Sequence, residues 1–327
     1  MCWIVAVRQW AVHDALANCS RASFKDNRRY NFGVPFGIER RSRPATGAAV
    51  GGAGRLQWRI AAAVFLTLGL SAWLRPAAAQ TTIMRYARQR NTPVNSGLPN
   101  IQRGFTFCRL RYDRTRRQRK SGWWDDYPAS DFNFLSRFEE LTTVTISRWA
   151  NGDPGFAQVT LQDPQLFRCP FLKMQGAANY DFTAEEVATL RQYFLKGGFL
   201  WEDDNWTDAD WEYIRDNLVR ILPEYPIEEI TPGHPLLSVL YDVKEIPQIP
   251  SIESWRRSGG RADEFNAGPP HLYAIFGQNG QLMVLVSLNC DTSDSWEREG
   301  DNPDYFRQFS PAGYALGVNV AVWVMSH

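Results

Sequence analysis

Residues 183–222 constrain the fold more tightly than any other stretch of this chain. Thr183-Ala-Glu-Glu186 has the spacing of a capping box, in which a hydroxyl and a carboxylate three residues apart satisfy backbone N–H groups left free at a helix start. Val187, Leu190, Tyr193 and Phe194 then share one helical face. Gly197-Gly198 ends the helix, because glycine enters the left-handed conformation without a Cβ penalty. Phe199-Leu-Trp201 reads as a buried strand that runs into Glu202-Asp203-Asp204. A second helix start follows at Thr207 and Asp210, with Trp211, Ile214, Leu218, Ile221 and Leu222 as its apolar stripe. Strand and capped helix in alternation need crossover connections, which predicts the α/β class with a mostly parallel sheet.

The flanking segments fit that class. Phe105–Tyr112 alternates as a strand does, Ala129–Leu141 carries helical spacing, and Phe167–Met174 reads as a short strand interrupted by Pro170. Ile246–Gly268 is a long excursion rich in Pro, Ser, Arg and Gly. His271–Phe276 and Gln281–Leu288 flank Gly277-Gln-Asn-Gly280, a hairpin signal. Ser310-Pro311 predicts the start of a final helix.

Charge divides the chain. Residues 121–327 hold 14 basic and 31 acidic groups, while the preceding residues are strongly basic. An acidic body excludes a uniformly basic nucleic-acid binder. Ile60–Leu74 is apolar, follows Arg55 and Arg59, and precedes Ala77-Ala-Ala79, the pattern of a secretory signal peptide. Its 15 residues fall short of the roughly 20 a membrane span needs. The expected organisation is a doubtful extension over 1–54, a signal peptide over 55–79, a linker over 80–104 and one α/β domain over 105–327. This predicts a periplasmic or secreted protein, with anchoring in the inner membrane through residues 60–74 as the alternative. Membrane contact is then expected only through an uncleaved leader. Cys108, Cys169 and Cys290 fall in the domain, and buried thiols on core strands are the expectation, with a single bridge as the alternative.

Taken in order, Phe105–Tyr112 with Trp124-Asp-Asp-Tyr-Pro128, Thr183–Asp204, Gly233-His-Pro-Leu236, Leu272–Asp291 and Tyr314–Asn319 resemble DUF4159, a bacterial domain family of unknown function. The resemblance spans about residues 103–327. The family's fold is grouped with class I glutamine-amidotransferase-like domains, which implies a flavodoxin-like layered sandwich, here with a C-terminal hairpin and helix. It implies no activity. The strand after Gly197-Gly198 carries Asp203 and Asp204 where an amidotransferase keeps its cysteine elbow, and no Gly-x-Cys-x-Gly or Gly-x-Ser-x-Gly occurs. Glutamine hydrolysis is therefore not expected.

Three predicted strands end in carboxylates, at Asp113, at Asp203-Asp204 and at Asp291. Open α/β sheets bind ligands beyond the carboxyl ends of their parallel strands. Convergence of these ends would make an acidic pocket that a hard cation, Mg²⁺ or Ca²⁺, relieves, with Asp203 and Asp204 as the metal candidates. The plainer outcome is that these residues cap helices and close turns. His234 is a further candidate ligand-binding residue and His271 a candidate base, although turn positions are commoner for both. Trp123, Trp124, Trp201, Trp206, Trp211, Trp255 and Trp296 mostly neighbour Asp or Glu, which suits either core packing or ligand recognition. The expected function is a binding or assembly component at the bacterial envelope, with an envelope protein or wall component as partner. The rival is a metal-assisted or carboxylate-based hydrolase of an envelope substrate.

Overall fold

The computed structural model describes residues 104–112 and 122–327. The extension, the signal peptide, the linker up to residue 103, Asp113 and the basic loop after it lie outside the described residues. Among the described residues, no helix is long and apolar enough to cross a membrane.

Seven strands form one sheet: β1 (Phe107–Leu110), β2 (Phe156–Val159), β3 (Phe171–Gln175), β4 (Phe199–Asn205), β5 (Ile227–Glu229), β6 (His271–Phe276) and β7 (Leu282–Leu288). Their order is β2-β1-β3-β4-β7-β6-β5. β2, β1, β3, β4 and β7 are parallel, and β6 and β5 extend the sheet antiparallel. The parallel part has the doubly wound order whose direction reverses between β1 and β3. The hairpin forms as expected, and β7 enters parallel to β4. Its carboxyl end therefore lies on the same edge as that of β4.

The central strands are buried on both faces and read as nearly continuous apolar runs. One face carries α2 (Ala184–Leu195) and α3 (Asp208–Ile221), whose Leu190, Phe194, Ile214 and Leu218 pack with Leu172, Leu200 and Val284. The other carries α1 (Ala129–Leu141), the short α5 (Asp294–Glu297) and α6 (Pro303–Ser326). There the ring of Phe134 on α1 lies 5.5 Å from Phe107 and 4.5 Å from Trp296 on α5. Gly317 lets α6 approach this layer, since a Cβ there would fall 2.6 Å from the Trp296 ring. Within the excursion after β5, α4 (Ile252–Ser258) is capped by Ser251.

The capping box is present in full: Thr183 Oγ1 accepts from Glu186 N, and Thr183 N donates to Glu186 Oε2 at 2.9 Å. Two expectations need correction. The final helix begins at Pro303 rather than at Ser310-Pro311, because Asn302 caps it by accepting from the N–H groups of Asp304 and Tyr305. Ser310 instead donates to Ser295 O at 2.6 Å, and Pro311 sits inside the helix. As expected, β4 ends in the acids; it runs to Asn205 and is paired with β3 as far as Asp203. Cys108 and Cys169 are not separate thiols but form a disulfide, with Cα atoms 5.9 Å apart, which leaves Cys290 as the free, buried cysteine of the described residues.

Glu202 on β4 is 2 % exposed, and its Oε2 lacks a hydrogen-bond partner. Burial alone pushes its carboxyl up to about 8. The unfolded chain releases that proton near pH 4.5, so stability from the protonated form is complete below about pH 4.5 and is lost as the pH rises towards 8. Replacing Glu202 by Gln should remove this slope. Between pH 5 and 7, urea unfolding should show the wild type losing about 2–3 kcal/mol relative to Glu202→Gln. Parallel pH profiles would contradict the assignment.

Candidate functional site

A cavity of about 510 Å³ opens at the carboxyl edge of the parallel strands. Four segments line it. The turn before α1 contributes Trp124, Asp125, Asp126 and Tyr127, and the end of β4 contributes Asp204 with the following Trp206. The excursion supplies Ser251, Glu253, Glu264 and Phe265. The segment after β7 supplies Asp291, Asp294, Glu297 and Arg298. Eight carboxyl groups thus face one arginine among the described lining residues.

Buried polar contacts hold these segments in place. Arg109 on β1 pairs with Asp131 on α1, with Nε 3.3 Å from Oδ1 and both side chains fully buried, and it donates to Asp125 O at 3.2 Å. That bond ties the acidic turn to the sheet. Gln175 ends β3 at the switch point, and its Nε2 donates to Asp126 Oδ2 at 2.5 Å and to Asp291 Oδ1 at 3.3 Å. One amide therefore sets two carboxylates from distant segments. A register shift between Glu202 and Asn205 puts Asp204 at φ +61°, and Trp206 Nε1 donates to its Oδ1 at 2.7 Å. Asp126 and Phe265 also have positive φ, at +61° and +65°. Such backbone is unusual for a bulky aromatic, and it concentrates at this rim.

The electrostatics follow from burial and crowding. Burial pushes the Asp125 carboxyl up to about 6, against the lowering effects of the Gly122 N–H and Arg109. Asp126, Asp204, Asp291 and Asp294 are all raised well above the ordinary carboxylate range, first by burial and then by neighbouring carboxylates. Clustered acids held out of water favour protons or cations.

The expected site residues separate. Asp204 and Asp291 line the cavity together. Asp203 does not: it is fully buried, 2.8 Å from Lys173 Nζ, and accepts from Thr292 N, Ser293 N and Ser293 Oγ at 3.1–3.3 Å. Strand alternation turns it to the face opposite Glu202, so its role is to fix the segment after β7. His234 does not reach the cavity; its Nδ1 accepts from Leu236 N at 3.1 Å and its ring stacks over Phe276. His271 pairs with Glu229 at 2.7 Å on the antiparallel side. Sequence reasoning missed Asp125, Asp126, Glu253, Glu264, Asp294 and Glu297 as site residues. Their one visible trace is acid beside tryptophan, in Trp124-Asp-Asp126 and Asp294-Ser-Trp-Glu297.

No histidine lines the cavity among the described residues, and its serine is engaged: Ser251 Oγ donates to Glu264 and accepts from Ser254 N to cap α4. The arrangement is suited to holding positive charge and offers no paired nucleophile and base. No curated protein matches the chain. The family model for a domain of unknown function, DUF4159, matches residues 106–325, and with that match the chain belongs to the DUF4159 family.

Proposed function

We propose that this protein is an exported binding or assembly component of the bacterial envelope, and that its acidic cavity receives a positively charged group of a partner. The observation that carries the reading is the set of eight carboxyl groups around one arginine at the carboxyl edge of the sheet. Trp124 and Phe265, 46 % and 70 % exposed, add aromatic faces at the same cavity, which favour an ammonium or guanidinium group through cation–π attraction. The signal-like residues 55–79 support export, and the disulfide is of a kind that persists in oxidising compartments. The likeness to class I glutamine-amidotransferase-like domains bears on the same edge. Asp204 sits at positive φ at the carboxyl end of β4, near the edge where such hydrolases seat a nucleophile, with a carboxylate in place of sulfur.

The test uses protein purified from the periplasmic fraction, whose mature chain should begin near Gln80. An oligoarginine peptide should change tryptophan fluorescence at low ionic strength, and its binding should weaken with added salt. The pair Asp204→Asn with Asp291→Asn should weaken it at least about tenfold, since surviving charges bind a cation less strongly. An oligoglutamate peptide that binds equally well, or an oligoarginine peptide that does not bind, would end the reading. One observation favours hydrolysis as a second reading: Asp125, raised to about 6, is poised to exchange protons near neutrality. That reading requires turnover of an ester, amide or glycoside that Asp125→Asn abolishes.

A further inference from the structure

Lys173 on β3 and Asp203 on β4 meet inside the core, and neither side chain is exposed at all. An ammonium carries three N–H donors. Among the described residues, the one hydrogen-bond acceptor that Lys173 finds is Asp203 Oδ2, at 2.8 Å. Its other neighbours are indole faces: Nζ lies 3.8 Å from the Trp201 ring centroid and 4.9 Å from a Trp296 ring centroid. An ammonium so poorly solvated gives up its proton readily, and the neutral amine it leaves is a nucleophile. Burial accordingly lowers the Lys173 pKa, against the raising effect of Asp203.

The carboxyl opposite is set up as an electrophile. Asp203 Oδ1 accepts from Thr292 N at 3.3 Å, and Oδ2 accepts from Ser293 N at 3.1 Å and from Ser293 Oγ at 3.2 Å. Donors aimed at both oxygens stabilise the negative charge that collects there when a nucleophile attacks the carbon between them. The amine touches Oδ2, which is one bond from Cγ, so the reacting atoms are neighbours before any motion. Exclusion of water strengthens these contacts and withholds the reagent that would cleave an amide again.

We propose that Lys173 and Asp203 condense into an isopeptide bond, a covalent link between β3 and β4. The ion pair is the reactant. A Nζ–Cγ bond forms and the Cγ–Oδ2 bond breaks. Oδ2 takes two protons from Nζ and leaves as water, while Oδ1 stays as the amide oxygen, held by Thr292 N. No oxidant or co-reactant is needed. The link closes a sequence separation of 30 residues that contains α2, and the Cys108–Cys169 disulfide already ties β1 to the turn before β3. Three neighbouring strands are then joined covalently. This inference goes beyond the reading of the cavity and does not depend on what the cavity binds.

Mass spectrometry of the purified, reduced and denatured protein tests the bond. The intact chain should be lighter than its sequence by one water molecule. Trypsin does not cut after an acylated lysine, so the digest should contain Cys169–Arg191 joined to Gly197–Arg215. Lys173→Arg keeps the positive charge but offers no amine, and it should have the full mass of its sequence. The wild-type digest decides the matter if Lys173→Arg fails to fold. The proposal is overturned by a wild type of full sequence mass after prolonged incubation, by a missing water that maps to other residues, or by separate, unlinked peptides ending at Lys173 and containing Asp203.

Discussion

Replacing Lys173 by methionine should lower the unfolding free energy by about 3–5 kcal/mol, the usual consequence of leaving a buried charge without its partner. Lys173 and Asp203 are both fully buried, 2.8 Å apart, on neighbouring strands β3 and β4. The ammonium also lies 3.8 Å from the Trp201 ring centroid, so burial is offset from two directions. Burial pulls the Lys173 pKa below its ordinary value, against the raising effect of Asp203. Combining Lys173→Met with Asp203→Leu should recover only part of the loss. Asp203 also satisfies the Thr292 and Ser293 amides, and orphaned buried donors cost roughly 1–3 kcal/mol each. The double variant should therefore stay below the wild type in urea unfolding and should disorder the segment bearing Asp291 and Asp294. A Lys173→Met protein within about 1 kcal/mol of the wild type would show that the pair contributes little.

Loss of the Cys108–Cys169 disulfide should cost about 4 kcal/mol, the loop-closure entropy expected for a separation of 61 residues. The bond joins the start of β1 to the turn before β3, across the switch in strand order. A Cys108→Ala/Cys169→Ala variant should melt roughly 8–16 °C lower, since each kcal/mol shifts a domain of this size by about 2–4 °C. Reducing agent should destabilise the wild type and leave the variant unchanged. A reduced wild type that melts as the oxidised protein does would remove the bond from the stability of the fold.

These two contacts also show where reading the sequence stops. The Thr183–Asp204 unit is legible because its capping box, its apolar stripe and its glycine stop are all local. The parallel α/β sheet follows from that unit and its repeat. Asp204 and Asp291 are legible as strand ends, and the rule for open sheets places strand ends at a common edge. Asp203 is not legible as a core residue, because its partner becomes visible only once Lys173 is known to lie across from it. The disulfide likewise depends on β1 and β3 being neighbours. Asp126, Asp294 and Glu297 come from segments that only tertiary packing joins, through Gln175 and the Phe134–Trp296 contact. At the final helix two serine- or asparagine-proline pairs compete, and the side chain of Asn302 rather than that of Ser310 finds free amides.

The antiparallel extension has a further result. β5 is only three residues long at the border of the sheet; Glu228 is exposed there, and Glu229 pairs with His271. A second strand approaching there would meet like-charged repulsion and too short a template for a stable ladder. Strand addition on that side is disfavoured, which blunts growth into fibres or stacked oligomers there.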